Sequence, residues 1–319
     1  MHAVFTNFYM EPIKNINHFI ETQLPEWEMA SSNYNDLKNV KTKTFLFNGF
    51  EILVQFNPKR ITSSAAKVDV KSIEARPCFL CAQNRPMQQR SLPFKDDYQI
   101  LVNPFPIFPR HLTIPKEQHT DQLIQLHFGD MLDLAYSLDD FVVFYNGPKC
   151  GASAPDHFHF QAGSKGFLPI EKDFHNTALV ELVKVKQEVK IYQSKDYLRS
   201  AITLQSSNKE SIALIFSGLY NDFHLLQPTE VEPMLNILAY FEKGEWIVHI
   251  FPRILHRPAQ YFAQGEGQIL LSPASVDMGG VFITPREEDF NKISMDDIAD
   301  IFTQVCMDEI TLHKLINRI

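Results

Sequence analysis

Two histidines and a glutamine alternate with phenylalanine in the run His157-Phe158-His159-Phe160-Gln161. In a strand, successive side chains point to opposite faces, so the two histidines and Gln161 share one face and the phenylalanines pack on the other. A neutral imidazole can attack phosphorus and hold a nucleotidyl group as a phosphoramidate. The run therefore predicts a strand suited to nucleotidyl transfer through His159. Two core histidines or two metal ligands are the plainer interpretations of the pair.

A loop rich in glycine and proline precedes this run. Gly147, Pro148 and Gly151 cannot continue a regular element, and such loops leave backbone N–H groups free to bind an anion. The N–H groups around Gly151 to Ser153, together with the Gln161 amide, would hold the non-bridging oxygens of a phosphate group during transfer. The sequence thus places a phosphate site beside two imidazoles.

A second group of phosphate-binding candidates follows the segment 45–56. Asn57, Lys59 and Arg60 are concentrated there in a chain that is acidic elsewhere. Cationic and amide side chains suit phosphate oxygens. A solvated surface loop is the alternative interpretation of this segment.

Cys78 and Cys81 have the Cys-x-x-Cys spacing that grips a tetrahedral metal ion from a tight turn. A redox dithiol would need a helix opening at the first cysteine, whereas a polar loop follows here; a spacing without function is the third interpretation. His111 and His119 are both candidate third ligands. With His157 as the fourth, the set would be a closed structural zinc site without a position for water.

Composition restricts the class of protein. The chain has 319 residues, 45% of them hydrophobic, which is enough for a large core. Its net charge of −8 and pI near 5.8 argue against nucleic acid as a partner, so the phosphates belong to small molecules. We find neither an apolar run of membrane-spanning length nor a signal-peptide pattern at the start. Four cysteines do not form a disulfide framework. We expect a cytoplasmic protein without a membrane partner.

Strands and helices must position these residues. Apolar and aromatic patterning predicts a strand or hairpin at 45–56, further strands at 98–102, 110–115, 141–145, 211–216 and 245–251, and helices at 120–139, 177–192 and 296–319. No linker rich in glycine, serine or proline separates the two halves of the chain. We therefore expect two closely packed lobes.

Taken together, these motifs resemble the histidine-triad (HIT) superfamily, in the transferase branch whose motif ends His-x-His-x-Gln. That branch contains galactose-1-phosphate uridylyltransferase, diadenosine tetraphosphate phosphorylase and the GDP-hexose phosphorylases. The resemblance spans most of residues 55–290 and is strongest at the motif. Further matches are Val102-Asn-Pro, Arg110-His-Leu-Thr-Ile-Pro, Phe167-Leu-Pro-Ile-Glu171 and the late series from Ser272-Pro-Ala to Phe290.

The resemblance implies roles for individual residues. The second histidine of the motif, His159, becomes the nucleotidylated residue, and Gln161 contacts the phosphate. The Asn-Gly loop with its Gly-x-Ser matches Asn146, Gly151 and Ser153. The metal pattern of the uridylyltransferases falls on Cys78, Cys81, His119 and His157, which favours His119 over His111 and implies a structural Zn²⁺.

The resemblance also implies an α+β fold of two HIT-like halves, each a mostly antiparallel sheet with packed helices. Residues 1–172 would carry the catalytic motif and the zinc site, and residues 173–319 would form a degenerate half. The implied enzyme is a nucleotidyltransferase that moves a nucleoside monophosphate from a nucleotide-sugar or dinucleoside polyphosphate to phosphate or a sugar phosphate. A homodimer is among the oligomeric states that the sequence leaves open.

Two departures from the uridylyltransferase pattern refine this expectation. One extra residue separates Ser153 from His157, and beyond Glu171 and His249 the chain offers few ligands for a second metal. These departures favour a nucleotide-sugar or dinucleotide phosphorylase over a hexose-1-phosphate uridylyltransferase. The alternatives are a non-catalytic, zinc-stabilised nucleotide-binding protein and a nucleotide hydrolase.

Overall fold

The structure, a computed structural model, describes residue 13, residues 15–61 and residues 68–319. Long antiparallel strands form the centre of the molecule, and helices pack on them. This is the α+β class that the sequence predicts. Of the helices in the described ranges, none has both the length and the apolar character that a membrane crossing requires.

Thirteen strands lie in the described ranges. They are β1 (Lys41–Leu46), β2 (Glu51–Phe56), β3 (Ser91–Phe94), β4 (Tyr98–Val102), β5 (His111–Pro115), β6 (Phe141–Asn146), β7 (His159–Ser164), β8 (Val180–Lys186), β9 (Val189–Ser194), β10 (Ile202–Ser206), β11 (Leu235–Glu242), β12 (Glu245–Pro252) and β13 (Val281–Thr284).

The α-helices of the same ranges are mostly short. They are α1 (Ile16–Gln23), α2 (Glu28–Leu37), α3 (Val70–Glu74), α4 (Phe128–Ser137), α5 (Pro169–Asp173), α6 (Lys209–Leu226), α7 (Ala259–Phe262), α8 (Ser275–Met278), α9 (Glu287–Lys292), α10 (Met295–Val305) and α11 (Glu309–Arg318). Single 3-10 turns lie at Leu24–Glu26, Pro58–Arg60, Ala82–Asn84 and Gly265–Gly267.

Ten of the strands form one antiparallel sheet in the order β3-β4-β5-β7-β6-β11-β12-β10-β9-β8. Strands β3 to β6 at one end of this order come from the first half of the chain, and strands β11 to β8 at the other end come from the second half. The two parts meet where β6 pairs with β11, with Asn146 directly opposite Asn236. A smaller sheet, β1-β2-β13, joins the halves again, because β13 from the second half pairs in parallel with β2 from the first half.

Each face of the large sheet is covered by its own apolar cluster. Alternation along β6 illustrates the division, because Val143 and Tyr145 enter one cluster and Val142 and Phe144 enter the other. Phe158 and Phe160 belong to the first cluster, as the sequence pattern predicts. Both clusters contain residues from before and after position 172, so the core is shared between the halves.

Two expected elements are wrong in type. Residues 177–192 were expected to be helical, but β8 and β9 form a hairpin there, since Val and Ile alternate with charged residues and Gln187 and Glu188 both adopt positive φ in the turn. The expected strand at 211–216 lies inside helix α6, whose first turn is capped by the Asn208 side chain. A short apolar run fits a buried helix as well as a strand.

Two expected helices have different limits. The helix expected at 120–139 begins only at Phe128, because residues 120–127 form an irregular segment and a turn in which Gln122 hydrogen-bonds to the first residue of β7. The helix expected at 296–319 is divided into α10 and α11, with Asp308 capping the second.

Candidate active site

His159 opens strand β7 and is only 3% exposed. Its Nδ1 lies 2.8 Å from the carbonyl oxygen of His157, and a carbonyl can only accept, so Nδ1 carries the hydrogen. Nε2 therefore keeps its lone pair, and the residue lines a large cavity. Burial lowers the pKa of His159 to about 4, which keeps the ring neutral near pH 7. A neutral, oriented imidazole is what nucleophilic attack requires.

Gln122 holds the backbone of His159 in place. Its Oε1 accepts the His159 N–H at 2.8 Å, and its Nε2 donates to the carbonyls of His159 at 2.9 Å and Asn146 at 3.1 Å. The side chain is fully buried, and it pairs backbone groups of β6 and β7 where these two strands diverge. Sequence reasoning missed this residue, because an isolated glutamine in a loop gives no signal.

Gln161 is oriented by His111, which is therefore not at the metal cluster. The Ile107 N–H donates to His111 Nδ1 at 3.1 Å, so the hydrogen of the neutral ring sits on Nε2 and points to Gln161 Oε1 at 3.0 Å. Burial lowers the pKa of His111 to about 3. With its oxygen engaged, Gln161 directs its NH₂ group away from His111, and the residue lines the cavity.

The glycine-containing loop forms another wall of the cavity, to which Asn146, Gly151 and Ser153 contribute. Gly151 has φ +91°, and a Cβ at this position would lie 2.4 Å from Cβ of Ala274. Only glycine fits both the left-handed backbone and the contact with the second half of the chain.

The three phosphate-binding candidates after β2 differ in their position relative to the cavity. Arg60 lines the cavity and donates to the Phe105 carbonyl at 2.9 Å; burial lowers its pKa to about 10, so it is still a cation at neutral pH. Asn57 is buried and donates to the Pro106 carbonyl at 3.1 Å. Lys59 is exposed and lies 3.3 Å from Asp36. Asn57 and Lys59 are not among the residues that line the cavity.

The cavity has a volume of about 1040 Å³. Trp27, Met29, Phe79 and Phe105 contribute apolar surface to its lining, and His159 lies among the polar groups. Pockets that bind cofactors and other small molecules are mostly apolar with a few placed polar groups. The second half of the chain also contributes to the lining, through Ser272, Ala274, Val276, Asp277 and Ile283.

Cys78, Cys81, His119 and His157 come together so that their ligand atoms all lie within 4.8 Å of one another. Sγ of Cys78 is 3.3 Å from Nδ1 of His157, and Sγ of Cys81 is 3.2 Å from Nδ1 of His119. Bond lengths of zinc to sulfur and nitrogen place such atoms about 3.6 Å apart in a tetrahedron. His157 donates from Nε2 to the Lys116 carbonyl at 2.8 Å, which leaves Nδ1 for the metal. The four residues could thus hold a metal ion.

A second metal site does not appear among the described residues. The Glu171 carboxylate instead accepts the N–H groups of Gly166 at 2.6 Å and Leu168 at 2.9 Å. His249 is buried between Thr203 and Tyr240.

Two family models match the chain, one in each half. The domain of unknown function DUF4922 matches residues 19–164, and the GDPGP1-like C-terminal domain matches residues 173–319. Each covers slightly less than half of the chain. No curated protein matches the sequence significantly.

Among solved structures, the chain is similar to yeast Ap4A phosphorylase Apa2, with a TM-score of 0.62 and 17% identity over 88% of this chain and 96% of that chain. Structures of Apa2 in complex with AMP and with Ap4A give TM-scores of 0.56 and 0.55 at 17% identity; both cover 88% of this chain, and 98% and 96% of the other. The chain therefore shares the fold of Apa2.

Proposed function

We propose that this chain, which shares its fold with Ap4A phosphorylase Apa2, is a nucleotidyltransferase or phosphorylase that works through a covalent nucleotidyl-His159. The observation that carries the proposal is the state of His159. Its Nδ1–H donates to the His157 carbonyl, which leaves an unprotonated Nε2 on a residue that lines a cavity with amide and guanidinium donors.

In the first half-reaction, Nε2 of His159 attacks the α-phosphorus of the donor. A P–N bond forms as the P–O bond to the leaving group breaks, and the leaving group takes the electron pair. The ring becomes positively charged, and the His157 carbonyl stabilises this charge through the Nδ1–H. In the second half-reaction, an oxygen of the acceptor phosphate attacks the same phosphorus and Nε2 leaves with its electron pair.

The amide groups of Gln161 and Asn146, the N–H groups of Gly151 to Ser153 and the Arg60 guanidinium would hold the non-bridging oxygens. Aligned donors around a phosphoryl group stabilise the transition state because charge shifts onto those oxygens. Asn57 and Lys59, also expected to bind phosphate, contact the Pro106 carbonyl and Asp36 and are not among the residues that line the cavity. Their part in this proposal is to hold the segment that carries Arg60.

The substrates in this proposal are nucleotides with a phosphate leaving group. The Apa2 structures contain AMP and Ap4A, which supports a dinucleoside polyphosphate or nucleotide-sugar donor and a phosphate or sugar-phosphate acceptor here. The cavity volume of about 1040 Å³ supports a substrate larger than one nucleoside monophosphate.

Zinc is the ion proposed for the four-residue cluster. Two thiolates and two imidazoles form a closed tetrahedral set, so the ion would stabilise the fold and have no position for substrate. Through His157 it would also fix the carbonyl that receives the Nδ1–H of His159. The proposed division places the metal and the motif in residues 1–172 and the degenerate half in residues 173–319. A cytoplasmic location and a homodimer stay predictions of the sequence.

The test is covalent labelling without acceptor. The protein is incubated with GDP-glucose, UDP-glucose, Ap4A or ADP labelled at the α-phosphate, and acid-labile label on the protein is measured. We expect label from at least one donor, its loss in His159→Ala, and its retention in a matched His224→Ala variant, because His224 is exposed on α6.

Adding inorganic phosphate or a sugar phosphate should then discharge the label and yield a nucleotide product. Label that is discharged equally fast by water alone would identify a hydrolase. Nucleotide binding that survives His159→Ala, with no label from any donor, would contradict the proposal and leave a nucleotide-binding protein without turnover.

A further inference from the structure

The amide of Asn146 has a fixed orientation at the edge of the cavity. Its Oδ1 accepts the backbone N–H of Ser275 at 2.8 Å and the Nδ2 hydrogen of Asn236 at 3.0 Å. A backbone N–H can only donate, so the atom that it meets must be the oxygen of the amide. The Nδ2 of Asn146 has no hydrogen-bond partner in the part of the chain that the structure describes, and the residue lines the cavity.

Asn236 is fixed by the same kind of argument. Its Nδ2 also donates to the Cys150 carbonyl at 2.7 Å, and its Oδ1 accepts from Nη1 of Arg253 at 2.8 Å. The carbonyl can only accept and the guanidinium can only donate, so the amide has one orientation. Asn236 is fully buried and lies directly opposite Asn146 where β11 pairs with β6.

Arg253 cannot turn away from Asn236. Its guanidinium is fully buried and donates to the carbonyls of Pro273 at 3.0 Å, Val305 at 3.1 Å and two residues of the following turn at 3.1 Å each. Moving it would leave several buried donors or acceptors unpaired, which costs more than one hydrogen bond. Arg253 therefore fixes the orientation of the Asn236 amide, and Asn236 in turn fixes the orientation of the Asn146 amide.

We propose that Asn236 is a positioning residue of the second half, which holds the Asn146 amide with its NH₂ group toward a phosphate oxygen of a bound nucleotide. The ligand identity rests on the proposed function. A freely turning amide would spend part of its time with its oxygen toward the phosphate, where like partial charges repel. Holding the oxygen from behind removes that state before the ligand arrives.

The Cys150 contact gives Asn236 a second effect on the same ligand. The carbonyl of Cys150 precedes Gly151 and belongs to the loop whose residues Gly151 and Ser153 line the cavity. One buried amide from the second half thus fixes a side-chain donor and anchors a backbone donor segment. This makes the second half part of the phosphate site rather than a cover for it.

The test is a double-mutant cycle between positions 146 and 236. Asn236→Asp replaces the donor by a carboxylate that pairs with Arg253 and repels Oδ1 of Asn146, so the Asn146 amide turns or loses a partner. Asn236→Ala removes the donor without adding repulsion and serves if the charged variant does not fold. Each is combined with Asn146→Ala, and dissociation constants for ADP, GDP and UDP are measured by calorimetry.

We expect Asn146→Ala and Asn236→Asp each to raise the dissociation constant of the best-bound diphosphate about tenfold or more, as for loss of a hydrogen bond to a charged group. In the Asn146→Ala background, Asn236→Asp should have a clearly smaller effect, since no amide remains to be positioned and only the anchoring of the loop at Cys150 is lost. The matched control is Asn208→Asp, which places the same change at the cap of α6 and should leave binding unchanged.

Equal effects of Asn236→Asp with and without the Asn146 side chain would overturn the inference, because they indicate a structural role only. Absence of binding for all three diphosphates at millimolar concentration would also overturn it. The labelling assay separates the two proposals. Coupled binding without label on His159 leaves this inference standing and rejects the proposed function, whereas label with additive binding effects does the reverse.

Discussion

At the scale of residues, the site consists of groups whose orientation is set by partners of fixed type. Alternation along the run to Gln161 was enough to predict that Phe158 and Phe160 join the apolar core, although the strand expected from His157 begins only at His159. The glycine pattern was enough to predict the loop at Gly151. The partners could not be predicted. Gln122 and Asn236 act on backbone groups and amides that tertiary structure brings near them, and their positions in the sequence are ordinary.

Glu232 is a buried acid that supports the same region. Its Oε1 accepts the Ile124 N–H at 2.5 Å, and its Oε2 lies 2.6 Å from the Tyr145 hydroxyl, which also donates to the Gln122 carbonyl at 2.8 Å. One hydroxyl hydrogen cannot serve both oxygens. A protonated Glu232 that donates to Tyr145 resolves this, and burial indeed raises the pKa of Glu232 from 4.5 to about 8.

This shift predicts a pH dependence of stability. Between pH 4.5 and about 8 the folded chain holds a proton on Glu232 that the unfolded chain has released, so the free energy of unfolding falls as pH rises through that window. One such proton contributes a slope of at most about 1.4 kcal/mol per pH unit. Glu232→Gln, which resembles the protonated acid, should match the wild type near pH 5 and exceed it near pH 8.

Urea unfolding at pH 5, 6.5 and 8 measures this difference. The exposed Glu181→Gln is the matched control and should follow the wild type at each pH. Parallel curves for Glu232→Gln and the wild type would show that Glu232 is ionised in the folded protein.

At the scale of elements, the prediction of secondary structure succeeded where turn residues flank a short apolar run. Strand β4 has the limits predicted from its sequence, and the hairpin of β1 and β2 turns at Gly49 with φ +88°. It failed at 177–192 and 211–216, where the local pattern suits both a helix and a strand and tertiary packing decides. The late start of helix α4 at Phe128 also depends on a contact between residues distant in sequence, that of Gln122 with His159.

The metal cluster predicts a coupling between two elements. Cys78 and Cys81 lie on one loop, and His157 lies just before β7, so an ion there would tie the loop to the strand of His159. Removal of zinc by a chelator should lower the melting temperature by roughly 3–5 °C, as expected for a loss of about 2–3 kcal/mol in a chain of this length. It should also slow labelling of His159.

Metal content by mass spectrometry and melting curves with and without chelator test this coupling. Cys81→Ala should have a lowered melting temperature that the chelator does not change further. Cys306→Ala, which changes a buried cysteine outside the cluster, should keep the response to chelator. A Cys81→Ala protein that still contains one zinc per chain would refute the assignment.

At the scale of the whole molecule, the two halves share one sheet and one core. The sequence predicted two closely packed lobes because it has no flexible linker, but the pairing of β6 with β11 gives no sequence signal, since each strand is apolar and fits several neighbours. Cutting the sheet at this pair would expose two strand edges and open both apolar clusters.

We therefore expect residues 1–172 to be insoluble when expressed alone, and co-expression with residues 173–319 to recover a soluble complex. Sedimentation of the soluble fraction and its unfolding curve measure the outcome. A soluble first half with a cooperative unfolding transition would show that it is an independent domain.

The buried charge of Arg253 has a consequence for how salt would affect anion binding. It donates to carbonyl oxygens and one amide oxygen, and no carboxylate of the described residues lies within ion-pair distance of it. No direct ion pair therefore neutralises its charge, although it interacts electrostatically with Asp277 and the whole chain carries −8. Mobile ions screen surface charges strongly but reach an interior charge less. Arg253 is not among the residues that line the cavity, so its charge would act on a bound anion across the buried Asn236 amide, and added salt should weaken that interaction less than it weakens binding to surface lysines.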